Sequence, residues 1–140
     1  MTRLLYADSG AFIALLYRRD HDHERVSAHL RRLRQTGDVL VTCEAVISET
    51  VTRLRYDAGL DATRRFRRVL TAGAALGSLE VRESDEGLRQ AAFDVLAQYG
   101  DLRLSYADAM GAAIARERRV DAVFGLDNDF RVMGFQLEPA

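Results

Sequence analysis

Residues 4–16, LLYADSGAFIALL, predict a short apolar strand, an acidic turn and an apolar helix. The strand runs from Leu4 to Ala7 and ends at Asp8. Four apolar residues then recur at helical spacing: Ala11, Phe12, Leu15 and Leu16. A second short run, VLV at 39–41, is fully apolar, which is typical of strands buried on both faces of a parallel sheet. These segments predict βαβ units.

Helical patterns and short strands alternate along the rest of the chain. Helices are predicted over 23–35, 44–56, 61–74 and 105–119. A further helix is predicted from Ser84, as its N-cap, to about residue 99. Strands are predicted over 79–81 and 121–124, with a possible last strand over 135–138. We therefore expect an α/β fold in which a parallel sheet of four or five strands is flanked by helices on both faces, in one domain spanning 1–140.

Composition excludes several classes of enzyme. The 140 residues include 20 basic side chains, all of them arginine. Without lysine the chain cannot use the phosphate-binding lysine of P-loop NTPases or the amine of Schiff-base enzymes. The single cysteine, Cys43, cannot form an internal disulfide, and no apolar run is long enough for a membrane helix. Residues 1–8 do not resemble a signal peptide, so we expect a cytoplasmic protein without a membrane contact.

Three aspartates follow predicted strands, at the sheet edge where open α/β folds bind ligands. Asp8 directly follows the first strand, and Asp127 and Asp129 come just after the strand that ends at Phe124. We therefore expect these carboxylates at the same edge. The alternative for Asp8 is a purely structural N-cap of the helix that begins near Gly10, because aspartate is common at that position.

Two further acids lie on predicted helices. Asp108 shares a helix face with Ala112 and Ala115, a stripe of small residues that should pack on the sheet. A buried, unpaired carboxylate there needs a proton or a cation, unless Asp108 is half-exposed and only favours the helix dipole. Glu49 flanks the apolar face of its helix, and its alternative role is a solvated ion pair with Arg53.

Four or five converging carboxylates favour a hard divalent cation, Mg²⁺ or Mn²⁺, over Zn²⁺. The three histidines are expected at the surface, and Cys43 as a packed thiol. A carboxylate-held metal can activate water for phosphodiester hydrolysis. Two arginine runs, 31–34 and 64–68, are either solvated helix faces or a track for phosphates.

Four acidic motifs together resemble the PIN domain family, in particular its VapC-type toxins. They are YADSGAFIALL with Asp8, ISET with Glu49, LSYADA with Asp108 and FGLDNDF with Asp127 and Asp129. The resemblance covers nearly the whole chain. It implies a Mg²⁺- or Mn²⁺-dependent ribonuclease, commonly a homodimer, that an antitoxin protein inhibits. Asp8, Glu49, Asp108 and Asp127 carry over as the catalytic and metal-binding quartet, with Asp129 as an accessory metal ligand.

Two positions depart from the commonest pattern of that family, and other functions stay open. Gly10 replaces a frequent serine and Gly125 a usual threonine or serine, which removes a hydroxyl near the metal site. The alternatives are a PIN nuclease of DNA or of RNA processing, and a degenerate module that binds RNA or protein without cleavage. The sequence names neither the RNA nor its cleavage site.

A partner surface is expected on the helices predicted over 44–56 and 61–74. These helices carry more apolar residues than a thin core needs to bury: Leu54, Leu60, Phe66, Val69 and Leu70. The alternative is that all five belong to the ordinary core. An antitoxin helix or a second copy of the chain could occupy such a surface.

Overall fold

The computed structural model describes residues 2–140. Its elements, in chain order, are β1 (Leu4–Ala7), α1 (Ser9–Leu16), α2 (His23–Thr36), β2 (Val39–Cys43), α3 (Glu44–Asp57), α4 (Leu60–Leu76), β3 (Leu79–Arg82), α5 (Glu86–Gln98), α6 (Tyr106–Glu117), β4 (Ala122–Phe124), α7 (Asp129–Val132) and β5 (Leu137–Glu138). The predicted α/β class and the alternation of helices and strands are confirmed. The short α7 is an addition to the prediction.

The five strands form one parallel sheet in the order β3-β2-β1-β4-β5. β1 is central, with β2 on one side and β4 on the other, so the strand order reverses direction at β1. In open α/β sheets such a reversal leaves a crevice at the carboxyl ends of the strands. Asp8, which directly follows β1, therefore lies at the place where this fold binds ligands.

Helices cover both faces of the sheet. Residues of α1, α2 and α4 surround the side chains of Leu40 and Phe124 on one face. On the other face α6 packs on Tyr6, and α5 packs on α6. A Cβ at Gly111 of α6 would come within 2.7 Å of the Tyr6 ring, so only glycine allows this close approach.

One prediction about a helix end is wrong, and the predicted partner surface is only partly exposed. The helix after β3 is capped by Asp85, whose carboxylate accepts a hydrogen bond from the Leu88 backbone N–H, and not by Ser84. Asp85 also pairs with Arg82, which a serine hydroxyl could not do. The apolar surplus on α3 and α4 is partly core, because Leu54 and Phe66 are buried, whereas Leu60 is 48% exposed.

The two ends of the chain meet in an ionic network. The Arg3 guanidinium donates to the carboxylates of Asp38 and Glu138, and the Glu138 carboxylate also contacts His29 Nε2 at 2.9 Å. The His29 ring stacks on Phe124 with centroids 5.9 Å apart. The prediction that all three histidines are surface residues is therefore wrong for His29. Its partner is 109 residues away in the chain, beyond the reach of local patterns.

Across residues 2–140, no helix combines the length and apolar character needed to cross a membrane.

Candidate active site

Asp8 is the most buried carboxylate at the crevice. Its side chain lies at the carboxyl end of β1, and the residue is 4% exposed. The Asp8 backbone N–H donates to the Phe124 carbonyl at 3.0 Å, which fixes its position between β1 and β4. Asp8 occupies the N-cap position of α1, but its side chain makes no capping hydrogen bond. A purely structural capping role therefore does not account for this carboxylate.

The Asp8 carboxylate is electrostatically strained. Its Oδ1 is buried and has no hydrogen-bond partner among residues 2–140. Burial raises the pKa of Asp8 to about 7, the Ser9 backbone N–H opposes that rise, and the charges of Asp108, Glu49 and Asp127 add to it. A buried oxygen without a partner, surrounded by like charges, favours the binding of a proton or a cation.

The other candidate acids come from separate elements around Asp8. Glu49 lies half-buried in the second turn of α3, and no ion pair with Arg53 forms in the part of the chain that the structure describes. Asp108 is the third residue of α6, and Asp127 follows β4 in a loop. Asp129 begins α7, and burial, then the charges of Asp127 and Asp108, raises its pKa. These five residues are called the acidic cluster below.

Local hydrogen bonds hold two members of the cluster. Asp108 and Ser105 form a reciprocal capping box: the Asp108 backbone N–H donates to the Ser105 hydroxyl, and the Ser105 backbone N–H donates to the Asp108 carboxylate, both at 3.0 Å. Asp127 Oδ1 accepts the Asp129 backbone N–H at 2.9 Å. The alternative prediction, in which Asp108 is half-exposed and favours the helix dipole, therefore describes the local bonding of Asp108 correctly. The charge of Asp108 nevertheless also raises the pKa of Asp8.

The cluster is not a closed ligand shell. Between residues 2 and 140, no three histidine, cysteine or acidic side chains lie close enough together to hold a metal ion as they stand. Local hydrogen bonds hold the carboxylates of Asp108 and Asp127. The donor set is nonetheless all oxygen and includes the unpartnered Asp8 Oδ1, which fits the chemistry of a hard cation such as Mg²⁺ or Mn²⁺.

A buried layer beneath the cluster was not singled out by the sequence. The Tyr6 hydroxyl lies 3.5 Å from Cys43 Sγ, and the Thr42 hydroxyl donates to the Ala7 carbonyl at 2.9 Å. Burial, then the nearby Cys43 and Asp8, raises the pKa of Tyr6 well above its ordinary value. Tyr6 therefore stays neutral and packs under Asp8. The glycine in the small-residue helix, Gly111, is the sequence signal that could have indicated this contact.

The family follows from a comparison with known proteins. Residues 5–136 match the model of the PIN domain. The chain belongs to the PIN domain family. A comparison with curated protein sequences gives no match.

Three solved structures have a fold similar to that of this chain. VapC20 of Mycobacterium tuberculosis, a Sarcin-Ricin loop cleaving toxin, is 24% identical, with a TM-score of 0.76 over 94% of this chain and 95% of that chain. VapBC2 of Rickettsia felis, bound to a DNA fragment from its promoter, is 12% identical, with a TM-score of 0.71 over 96% and 97%. FitAcB of Neisseria gonorrhoeae is 16% identical, with a TM-score of 0.62 over 95% of each chain. At these identities the likeness establishes the fold.

The two glycines that depart from the commonest PIN pattern differ in their surroundings. A Cβ at Gly10 would lie 3.7 Å from the Leu126 Cβ, an ordinary contact. A Cβ at Gly125 would lie 3.2 Å from the Asp8 Cβ, which is tight. In this PIN domain a serine or threonine at 125 would therefore press on the backbone-held Asp8.

Proposed function

We propose that this PIN domain is a Mg²⁺- or Mn²⁺-dependent endoribonuclease, the toxin of a type II toxin–antitoxin pair that acts in the cytoplasm. The observation that carries the proposal is the buried, unpartnered Asp8 carboxylate with Glu49, Asp108 and Asp127 around it, at the reversal point of the sheet. A stable fold does not require such a concentration of negative charge, which costs stability in the absence of a cation.

Asp8, Glu49, Asp108 and Asp127 would hold the metal, with Asp129 as an accessory ligand. When bound, the ion would lower the pKa of a water molecule and stabilise charge on a phosphodiester in hydrolysis. Asp8 provides a fixed oxygen, because its backbone is held in the sheet by Phe124. Asp127 Oδ1 accepts a hydrogen bond from the Asp129 N–H, whereas no hydrogen bond to the Asp129 carboxylate forms among residues 2–140, so the Asp127 side chain is the better anchored of the two. We therefore expect Asp127→Ala to cost more activity than Asp129→Ala.

A protein partner follows from the toxin assignment, since a free ribonuclease damages its own cell. We propose that an antitoxin helix, or a second copy in a homodimer, contacts the groove between α3 and α4. This groove encloses about 290 Å³ and is lined by Ile47, Val51, Thr63, Arg64, Phe66, Arg67 and Leu70. Its arginines favour an acidic partner segment. The neighbouring Arg65 instead donates to the Leu16 carbonyl, so the run over 64–68 is not a uniform phosphate track.

The test is cleavage of a single-stranded RNA by the purified chain with Mg²⁺, Mn²⁺ or EDTA. We expect cleavage only with metal and its loss in Asp8→Asn, whereas Asp61→Asn, an exposed acid on α4, should cleave normally. Metal-dependent RNA binding without cleavage would instead identify a degenerate module. Expression of the chain alone, and together with its neighbouring gene, separates a toxin from an RNA-processing nuclease. Growth arrest that is relieved both by the neighbouring gene and by Asp8→Asn supports the toxin assignment. Harmless expression of an active nuclease would rule out the toxin assignment.

A further inference from the structure

A close contact joins the ring of Tyr6 on β1 to the backbone of Gly111 on α6. A Cβ at position 111 would come within 2.7 Å of both Cε2 and the hydroxyl oxygen of Tyr6. The ring is confined, because Tyr6 is fully buried, its hydroxyl lies 3.5 Å from Cys43 Sγ, and its centroid lies 6.2 Å from that of Phe130. The separation of α6 from β1 is therefore fixed here by a confined ring against helix backbone.

The same two elements carry two acids of the acidic cluster. Asp8 follows Tyr6 by two residues of extended chain, so both side chains lie on the sheet face that α6 covers. Asp108 precedes Gly111 by three residues of helix, a spacing that places both residues on one face of α6. Asp108 and Asp8 therefore lie on the facing sides of α6 and β1.

The direction of α6 places these two acids at the same end of the sheet. The helix ends at Glu117, shortly before β4 begins, so its last turn lies near the amino ends of the strands. Its first turn, with Asp108, consequently lies near their carboxyl ends, where Asp8 also lies. The contact between Tyr6 and Gly111 is thus about one helical turn below the two carboxylates.

Both acids are attached to rigid parts of their elements. The Asp8 backbone N–H donates to the Phe124 carbonyl, and Asp108 is held in the first turn of α6 by its capping box with Ser105. Burial is the main cause of the raised pKa of Asp8, and among its charged neighbours Asp108 contributes most. The separation of these interacting carboxylates therefore depends on how closely α6 approaches β1.

We propose that the contact between Tyr6 and Gly111 positions Asp108 relative to Asp8 and thereby sets the size of the ion that the acidic cluster accepts. This inference rests on the proposed function and assigns Tyr6 and Gly111 as positioning residues of its metal site. Mg²⁺ binds oxygen ligands at about 2.0–2.1 Å in near-ideal octahedral geometry, whereas Ca²⁺ accepts about 2.3–2.6 Å and irregular geometry. A short, fixed spacing between two ligands favours the smaller ion.

Replacement of Gly111 by alanine should widen this spacing. Carbon atoms in contact are ordinarily about 3.5–4.0 Å apart, so a methyl group placed 2.7 Å from the Tyr6 ring must retreat by about 1 Å. Because the ring is confined, α6 moves instead and carries Asp108 with it. Ca²⁺ tolerates longer and less regular ligand distances, so this displacement should weaken Mg²⁺ binding far more than Ca²⁺ binding.

Isothermal titration calorimetry of Mg²⁺ and of Ca²⁺ into the purified, metal-free chain tests the proposal without RNA. Gly111→Ala should weaken Mg²⁺ binding about 10- to 100-fold and Ca²⁺ binding much less, which changes the ratio of the two Kd values. Gly73→Ala is the matched control, because a Cβ at Gly73 of α4 would come within 2.6 Å of the Leu79 Cβ, where β3 begins. This variant should lower the melting temperature similarly and leave the ratio unchanged.

Two substitutions of Tyr6 separate positioning from a general loss of stability. Leucine lacks the Cε2, Cζ and hydroxyl atoms that lie nearest to position 111. The double variant Tyr6→Leu with Gly111→Ala should therefore recover the preference for Mg²⁺, although two core substitutions lower stability further. Tyr6→Trp enlarges the ring against an unchanged glycine. It should shift the ratio in the same direction as Gly111→Ala and replaces that variant if it does not fold.

The outcomes distinguish this inference from the proposed function. If Gly111→Ala is destabilised like Gly73→Ala but keeps the ion preference of the unsubstituted chain, the contact is ordinary packing and the proposal is overturned. If the unsubstituted chain binds Mg²⁺ and cleaves no RNA, the nuclease function fails, and the change in the ratio still decides the inference. If that chain binds neither Mg²⁺ nor Mn²⁺, the metal site and the ion selection are both refuted.

Discussion

Replacement of Asp8 by asparagine tests the acidic cluster through stability rather than activity. The asparagine side chain has nearly the same shape as that of aspartate but carries no charge, so Asp8→Asn removes the repulsion from Glu49, Asp108 and Asp127. Burial and these charges raise the pKa of Asp8 from 3.8 to about 7 in the folded, metal-free protein. Since the folded state binds the proton more tightly, Asp8 lowers the free energy of unfolding progressively as pH rises from about 4 to about 7.

The size of the effect follows from the same two values. The linkage relation gives a cost of about 4 kcal/mol at pH 8 and about 2 kcal/mol at pH 5, relative to an Asp8 that is neutral in both the folded and the unfolded state. Asp8→Asn should therefore increase the free energy of unfolding in EDTA by up to about 4 kcal/mol at pH 8, with a smaller gain at pH 5. Urea denaturation followed by circular dichroism at the two pH values measures both.

A second buried aspartate provides the matched control. Burial alone would raise the pKa of Asp38, but hydrogen bonds from the Arg3 backbone N–H and the Arg3 guanidinium hold it below its ordinary range. Asp38→Asn should therefore destabilise the protein at neutral pH, by about 1–3 kcal/mol for lost charged hydrogen bonds. If Asp8→Asn destabilises the metal-free protein as Asp38→Asn does, Asp8 is an ordinary structural acid, and the electrostatic reasoning about the cluster is wrong.

Three further outcomes are expected from the surroundings of the site. Gly111→Ala should destabilise the fold by about 1–3 kcal/mol in denaturant titrations, because the added methyl overlaps the Tyr6 ring; unchanged stability would show that the ring moves freely. Thr50→Val should stabilise the protein by about 1 kcal/mol, because the buried Thr50 hydroxyl has no hydrogen-bond partner among residues 2–140. Thr42→Val should destabilise the protein by a similar amount, because it removes the hydrogen bond to the Ala7 carbonyl. The opposite order of stabilities would contradict these hydrogen-bond assignments. Mg²⁺ or Mn²⁺ should raise the melting temperature in proportion to the logarithm of its concentration at high concentration, and this rise should be absent in Asp8→Asn. A melting temperature that neither ion changes would argue against a metal site in the absence of RNA.

The sequence predicts the features of this protein that depend on local periodicity. The strand of Leu4–Ala7 and the position of Asp8 after it follow from a short apolar run, and the same reasoning places Asp127 after β4. Adjacent capping residues are harder to separate, so the pattern favours Ser84 where Asp85 caps α5. A four-residue helix such as α7 is too short to show a period of 3.6 residues.

Contacts between distant segments could not be predicted from one sequence. His29 is partly buried against Glu138, and the ring of Phe93 packs on that of Tyr106 across two helices. The capping box at Ser105 and Asp108 is local, but its consequence for Asp8 depends on how α6 packs on β1. Local patterns therefore predict the participants in the acidic cluster better than their bonding.

The central position of β1 has a consequence for the order of events during synthesis. β1 and Asp8 are synthesised long before β4, which pairs with β1 and leads to Asp127. A nascent chain therefore exposes one edge of β1 and lacks part of the proposed catalytic centre until β4 and Asp127 have been made. Because domains fold as units, the proposed cleavage activity should arise only after β4 has emerged from the ribosome, rather than gradually. Under the toxin proposal, this topology delays the appearance of an active nuclease and leaves time for an antitoxin translated beforehand to accumulate.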